Sequence, residues 1–117
     1  YKSVKWTPLY YFKALVALDL LKWWYFGLAN NLSKQIYIEN SSYILPQQIL
    51  AYSYFYMWDY RNALKYFKLL KQNDIQNQME YDFFIWISYY RLDDNRDSLL
   101  YLSQLWPKFK YYLDVLR

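Results

Sequence analysis

Without histidine or cysteine, any acid–base or metal chemistry in this chain falls largely to its ten carboxylates. Thiol nucleophiles, disulfides, zinc-finger spacings and histidine-based triads are excluded at once. The carboxylates are Asp19, Glu39, Asp59, Asp74, Glu80, Asp82, Asp93, Asp94, Asp97 and Asp114. Most fall where helices are expected to begin or in the connections between them, and capping accounts for them there. Asp93, Asp94 and Asp97 form the tightest group of oxygen ligands. A calcium loop, however, needs alternating ligands around a central glycine, and that pattern is missing. A single glycine, Gly27, also leaves no phosphate-cradling loop. No pairing of base with nucleophile is evident, so the expectation is a non-enzymatic protein with no cofactor and no metal.

The cations offer a second chemistry. Arg61, Lys65 and Lys68 recur at i, i+4, i+7 with Lys71 adjacent, a spacing that suits phosphate or acidic lipid but equally the solvated outer face of a helix. The outer face is the preferred reading. Rings interleaved with lysines, as in Tyr66-Phe67-Lys68 and Phe109-Lys110-Tyr111, could stack on single-stranded bases, although core packing explains most of them. Trp23-Trp24-Tyr25-Phe26 could settle at a membrane interface; filling a junction between helix pairs is the favoured role. Residues 1–73 carry nine basic and three acidic side chains and residues 74–117 carry five and seven, an imbalance too mild to indicate nucleic acid.

Elements that could position these groups are helical. The 117 residues are 56% apolar and 26% aromatic, enough for one packed domain and incompatible with disorder. One glycine and three prolines leave too few turns for a many-stranded sheet. Thr7-Pro8 reads as an N-cap followed by proline at the first helical position, opening a helix to about Trp23. Lys13, Asp19 and Lys22 interrupt it, against a membrane span. A second helix reaches Ile38. A third begins at Pro46 and runs to about Trp58. Asp59 caps a fourth, Tyr60 to Gln72. Gln76 to Arg91 and Asn95 to Trp106, the latter capped by Asp94, form a further pair. Pro107 is expected to start a short closing helix with Phe109, Tyr112, Leu113 and Leu116 on one apolar stripe.

The pairs repeat. An offset of 34 lays Ala17 on Ala51, Ala29 on Ala63, Val16 on Leu50 and Ile36 on Leu70. An offset of 35 carries Leu50, Tyr54, Asp59 and Leu70 onto Ile85, Tyr89, Asp94 and Leu105. Leu50-Ala51-x2-Tyr54 and Ala63-x3-Phe67 resemble the tetratricopeptide (TPR) repeat pattern, and Asp59-Tyr60-x2-Ala63-Leu64 resembles that family's inter-helix turn. The outer repeats depart from it, with Ser33 at an aromatic position and Trp86 and Ser98 where small residues should meet. Trp86 is expected to splay the third pair. The resemblance implies an all-α domain spanning 1–117. It would hold three stacked antiparallel hairpins, at about 10–43, 44–78 and 79–112, and a C-terminal capping helix at about 107–116.

The resemblance further implies a concave groove lined by the first helix of each hairpin. Its residues would be Tyr11, Gln48, Tyr52, Phe55, Tyr56, Phe83, Ile87, Tyr90 and Arg91. The family's carboxylate clamp has no counterpart, since its places hold Ala14, Leu18, Gln48 and Tyr52. The expected function is therefore protein–protein interaction, with an apolar or amphipathic peptide or partner helix held by rings. The alternative is a basic helical module binding membrane lipid or single-stranded nucleic acid. Compartment and oligomeric state are not encoded in any motif.

Overall fold

The computed structural model describes residues 8–116, with side chains described except at positions 8, 10, 109 and 112–116. Thr7, the expected first cap, and the Phe109–Tyr112–Leu113–Leu116 stripe lie outside what is described. The described residues form six helices and no strand: α1 (Pro8–Lys22), α2 (Phe26–Glu39), α3 (Ile44–Tyr56), α4 (Tyr60–Asn73), α5 (Gln78–Arg91) and α6 (Asn95–Leu116). A 3-10 turn, Ile75–Asn77, precedes α5. Each helix packs against the next in the chain, and α1 also reaches α3. The molecule measures 45 × 29 × 25 Å with a radius of gyration of 15.7 Å. A compact globule of this length would have a radius of about 13 Å, so the pairs are laid out along an axis rather than gathered into a ball.

The ends of the helices show how the chain keeps its register. The Asp59 carboxylate accepts from the Asn62 N–H, and Asp94 does the same for the Asp97 N–H at 3.2 Å, so both expected caps form. The hairpin turns are one motif made three times. Trp24, Trp58 and Asp93 adopt φ of 68°, 65° and 59°, at the same intervals of 34 and 35 that relate the apolar residues. In each turn the left-handed residue donates its N–H to a carbonyl three residues back. The next residue donates to one five back, as in Tyr25 to Leu20, Asp59 to Tyr54 and Asp94 to Tyr89. These paired bonds satisfy the orphan carbonyls of the first helix in each pair. A tryptophan in this conformation is strained by about 1–2 kcal/mol relative to glycine. Trp24→Gly and Trp58→Gly should therefore each raise the unfolding free energy by about 0.5–1 kcal/mol in urea titrations, whereas a loss of stability would mean the rings hold the turns together.

The small residues sit in the core. Ala17 and Ala29 are buried together with Ile49, and Ala51 and Ala63 are buried together with Leu50, Phe67, Leu70, Tyr81 and Ile85. A methyl group on each partner is what lets neighbouring helices approach without a ring between them. The third pair differs as its sequence suggests: Ser98 is buried and Trp86 only partly, its ring 5.6 Å from Phe83 on its own helix. The expected splaying does not occur. Trp86 leans along α5, and α5 packs on α6 as the other pairs pack.

Two prolines sit inside helices. Pro46 was expected to open α3, but the helix begins at Ile44 and Pro46 is its third residue, still within the first turn where no intrahelical donor is required. Pro107 was expected to start a separate capping helix over 107–116; α6 instead runs unbroken through it to Leu116. The missing N–H leaves the Ser103 carbonyl without its helical donor, and both residues are exposed to water, which can take the donor's place. Among the described residues there is therefore no separate closing helix after α6.

Ser33, at an aromatic position of the repeat pattern, is fully buried and its hydroxyl finds no hydrogen-bond partner. An unpaired buried hydroxyl costs about 1–3 kcal/mol. Ser33→Ala should accordingly stabilise the fold by about 1 kcal/mol, read as a higher urea midpoint at unchanged slope.

Candidate functional site

The nine groove residues do not form one open surface. Tyr52 stands edge-on to Phe67 and Phe84 at 5.3 and 5.2 Å, and Phe55 edge-on to Phe84 at 5.0 Å. Phe84, on α5, thus occupies the space the groove would have used. Burial pushes the Tyr52 hydroxyl well above its ordinary range, aided by its hydrogen bond with Glu80. Gln48 is committed to the Tyr81 hydroxyl at 2.9 Å. Phe83 lies between Phe84 and Trp86, and Ile87 is half-buried. Only Tyr11, Tyr56, Tyr90 and Arg91 of the set are exposed.

Three of those exposed residues line three separate clefts, and Tyr90 lines none of them. Tyr11 lines a cleft of about 390 Å³ with Ala14, Tyr43, Ile44 and Leu45. Arg91 borders another of about 250 Å³ with Trp58 and Tyr60. Tyr56 belongs to the largest, about 560 Å³, shared with Leu21, Lys22, Trp24 and Phe26.

This largest cleft is built by the turns. The left-handed backbone at Trp24 sends its indole outward, 80% exposed. Phe26, at the first position of α2, stacks on Tyr56 at the last position of α3, ring centres 5.2 Å apart. Leu21 forms the floor from α1, and Lys22 sets one cation at the rim. Apolar walls with a single charge suit an apolar side chain with a carboxylate close by. The Trp23-Trp24-Tyr25-Phe26 cluster was expected to fill a junction between helix pairs: Phe26 is partly buried and stacks on Tyr56 of the second pair, but the Trp23, Trp24 and Tyr25 rings are exposed, because the turn holds them beyond the ends of the helices. Nothing in the repeat spacing announces this, since aromatic residues in the left-handed region carry no sequence signature.

Opposite these turns, at the other end of the pairs, the connections are polar. Tyr81 donates its hydroxyl proton to Asp74 Oδ2 at 2.6 Å and accepts from Gln48, and Asn77 donates to the same carboxylate oxygen at 2.9 Å. These hydrogen bonds, the one from Tyr81 first, hold the Asp74 carboxyl below its usual range. Burial, then the bond to Asp74, pushes the Tyr81 hydroxyl up to about 12. A depressed carboxylate stabilises the fold above its unfolded pKa of about 4 and loses that contribution as pH falls through the folded value. A raised phenol stabilises below its unfolded pKa of about 10 and loses that contribution as pH rises toward the folded one. Urea midpoints should decline on both flanks, and Tyr81→Phe should flatten both; an unchanged profile would remove this network from the account.

The basic face of α4 is partly spoken for. Lys71 pairs with Asp82 at 2.7 Å, an ion pair that capping arguments miss because Asp82 is buried within α5. Lys65 and Lys68 lie over the Tyr66 and Tyr89 rings at 5.4 and 4.9 Å. Their ammonium groups thus sit on tyrosine faces as cation–π contacts, although both residues remain exposed.

Among the described residues no helix is long and apolar enough to cross a membrane, and none of their side chains form a cluster fit to hold a metal ion. No protein-family model, curated protein or solved structure matches the chain.

Proposed function

We propose that this chain is a non-enzymatic, TPR-like repeat module that captures an apolar or amphipathic segment of another protein. Its seat is the cleft of Leu21, Lys22, Trp24, Phe26 and Tyr56. The observation that carries the reading is the exposed Trp24 indole, held out by a strained backbone beside a stacked pair of rings. The left-handed turn itself recurs at Trp58 and Asp93 as a helix end, so what sets Trp24 apart is the stacked Phe26–Tyr56 pair beside it, and tryptophan is among the residues most enriched at binding hot spots. The reading moves the binding surface from the concave groove of the resemblance to the rim of the turns, where Tyr56 alone is common to both.

The test is a panel of peptides selected on the protein from a display library and titrated by intrinsic fluorescence and calorimetry. Trp24→Ala and Tyr56→Ala should each weaken the selected peptides by about 30-fold, the loss of roughly 2 kcal/mol at a hot spot. Lys65→Glu and Lys68→Glu should change little. Binding abolished only by the lysine changes, and falling steeply with salt, would replace this reading by the phosphate-binding one.

A further inference from the structure

The cleft at the first turn has a counterpart at the second. The repeat offsets carry Trp24 to Trp58, Phe26 to Tyr60 and Tyr56 to Arg91, and those three residues together line the cleft of about 250 Å³. Trp58, like Trp24, has a left-handed backbone and an indole 80% exposed. Each cleft is therefore assembled from the same three places. One is the left-handed residue of the turn, the next is the first residue of the helix that follows it, and the last is the final residue of the first helix in the next pair. At the third turn the two ring positions are held by Asp93 and Asn95.

Two exchanges make the clefts unlike. Leu21, the floor of the first, becomes Phe55, whose larger side chain stands edge-on to Tyr60 at 5.4 Å, in keeping with the smaller second volume. Tyr56, which stacks on Phe26 in the first, becomes Arg91, so a guanidinium borders the second cleft where a ring closes the first. Arg91 is exposed and, among the described residues, in no ion pair. Two carboxylates lie near it in the chain or across the cleft. Asp59 is turned to Asn62, whose backbone N–H and Nδ2 donate to it at 3.4 and 2.7 Å. Asp93 is exposed in the third turn and forms no ion pair with Arg91. A guanidinium offers a planar fork of N–H donors that a carboxylate matches two at a time.

We propose that the two clefts are filled together, by one amphipathic helix of a partner protein that sets an apolar side chain in the first and a carboxylate on Arg91 in the second. This rests on the reading of the Trp24 cleft as a seat for such a segment, and adds to it a second contact and a spacing. Packed helices lie about 8–10 Å apart and α1 packs directly on α3, so the first two turns are separated by about 10 Å. Two turns of a bound helix rise about 10.5 Å and bring the side chain back to the same face. The apolar residue and the acid of the partner are therefore seven residues apart.

Fluorescein-labelled helical peptides of alanine and glutamine test this by fluorescence anisotropy. Each carries one phenylalanine and one glutamate seven residues apart, and both sequence orders are made. In the order that binds more tightly, replacing the glutamate by glutamine should weaken binding about 10-fold, as expected for one charge-assisted pair. Moving the glutamate to five residues from the phenylalanine, and so to another face, should do the same. Arg91→Gln should weaken the glutamate peptide by that factor and leave the glutamine peptide unchanged, whereas Arg96→Gln, at another exposed arginine, should alter neither. Trp24→Ala should weaken both peptides alike. If it does, but the glutamate and Arg91 act independently of each other, the single-cleft reading stands and the paired clefts fall. If Trp24→Ala has no effect, both fall. Equal losses from Arg96→Gln would reduce the effect to net charge, and phosphatidylcholine vesicles bound through Trp58 in place of the peptides would assign the row of rings to a lipid surface; either result overturns the proposal.

Discussion

Replacing Phe67 by alanine should destabilise the fold by about 3–5 kcal/mol, the range for deleting a fully buried ring. Phe55 and Phe84 also meet several rings, but of the three only Phe67 is fully buried. It is stacked on Phe84 at 5.0 Å, edge-on to Tyr52 at 5.3 Å and to Phe55 at 6.3 Å, and tilted against Tyr81 at 6.3 Å. The four neighbours come from α3 and α5, on either side of α4, so one deletion opens a cavity at the junction of the second and third pairs. The neighbours are large and locked against one another, which limits collapse into the space. Urea denaturation followed by circular dichroism measures the loss. A change below about 1 kcal/mol would mean that the aromatic cluster is a surface feature rather than the core of the stack.

Asp82→Ala should be next in size, at about 3 kcal/mol, the lower end of the range for breaking a buried ion pair. Asp82 Oδ1 meets Lys71 Nζ at 2.7 Å and no hydrogen-bond donor besides. The lysine side chain is 31% exposed, so in the variant it can turn toward water, which is why the lower end applies. Removing both charges tells attraction apart from desolvation. Lys71→Met with Asp82→Leu should recover most of the loss, because well-packed apolar residues replace such pairs at little or no cost. If the double variant is no better than Asp82→Ala, packing around the pair rather than its charge is what matters, and the same urea titration decides.

Apolar spacing and the recurring alanines made the six helices and their pairing readable in advance, since Ala17, Ala29, Ala51 and Ala63 can be so placed only if helices meet there. The caps at Asp59 and Asp94 were equally legible, because a short carboxylate before a helical run has one common use. Other features were hidden for physical reasons. Pro107 punctuates a sequence, yet on an exposed surface its missing donor is replaced by water and α6 passes through. Asp82 looks like one more helix-start acid until α4 brings Lys71 beside it. The groove rings Tyr52 and Phe55 lie one turn off the core stripe, which would open them to a ligand in a longer, curved array. Here Phe84 of α5 packs edge-on against both of them. Trp24 and Trp58 were visible as tryptophans, but their left-handed backbone belongs to the turn and not to the residue type, so the exposed rim they create could not be read from spacing.

The proposed repeat architecture requires the pairs to follow one another in register along an axis. Because the chain contains no cysteine, a pair of introduced cysteines gives unambiguous spin labels at equivalent turn positions 24, 58 and 93. Electron–electron double resonance on the three pairwise variants should give two similar distances, 24–58 and 58–93, and a 24–93 distance close to their sum. A 24–93 separation no longer than either of the others would place the third pair back against the first, and the stack, with the binding rim drawn from it, would be wrong.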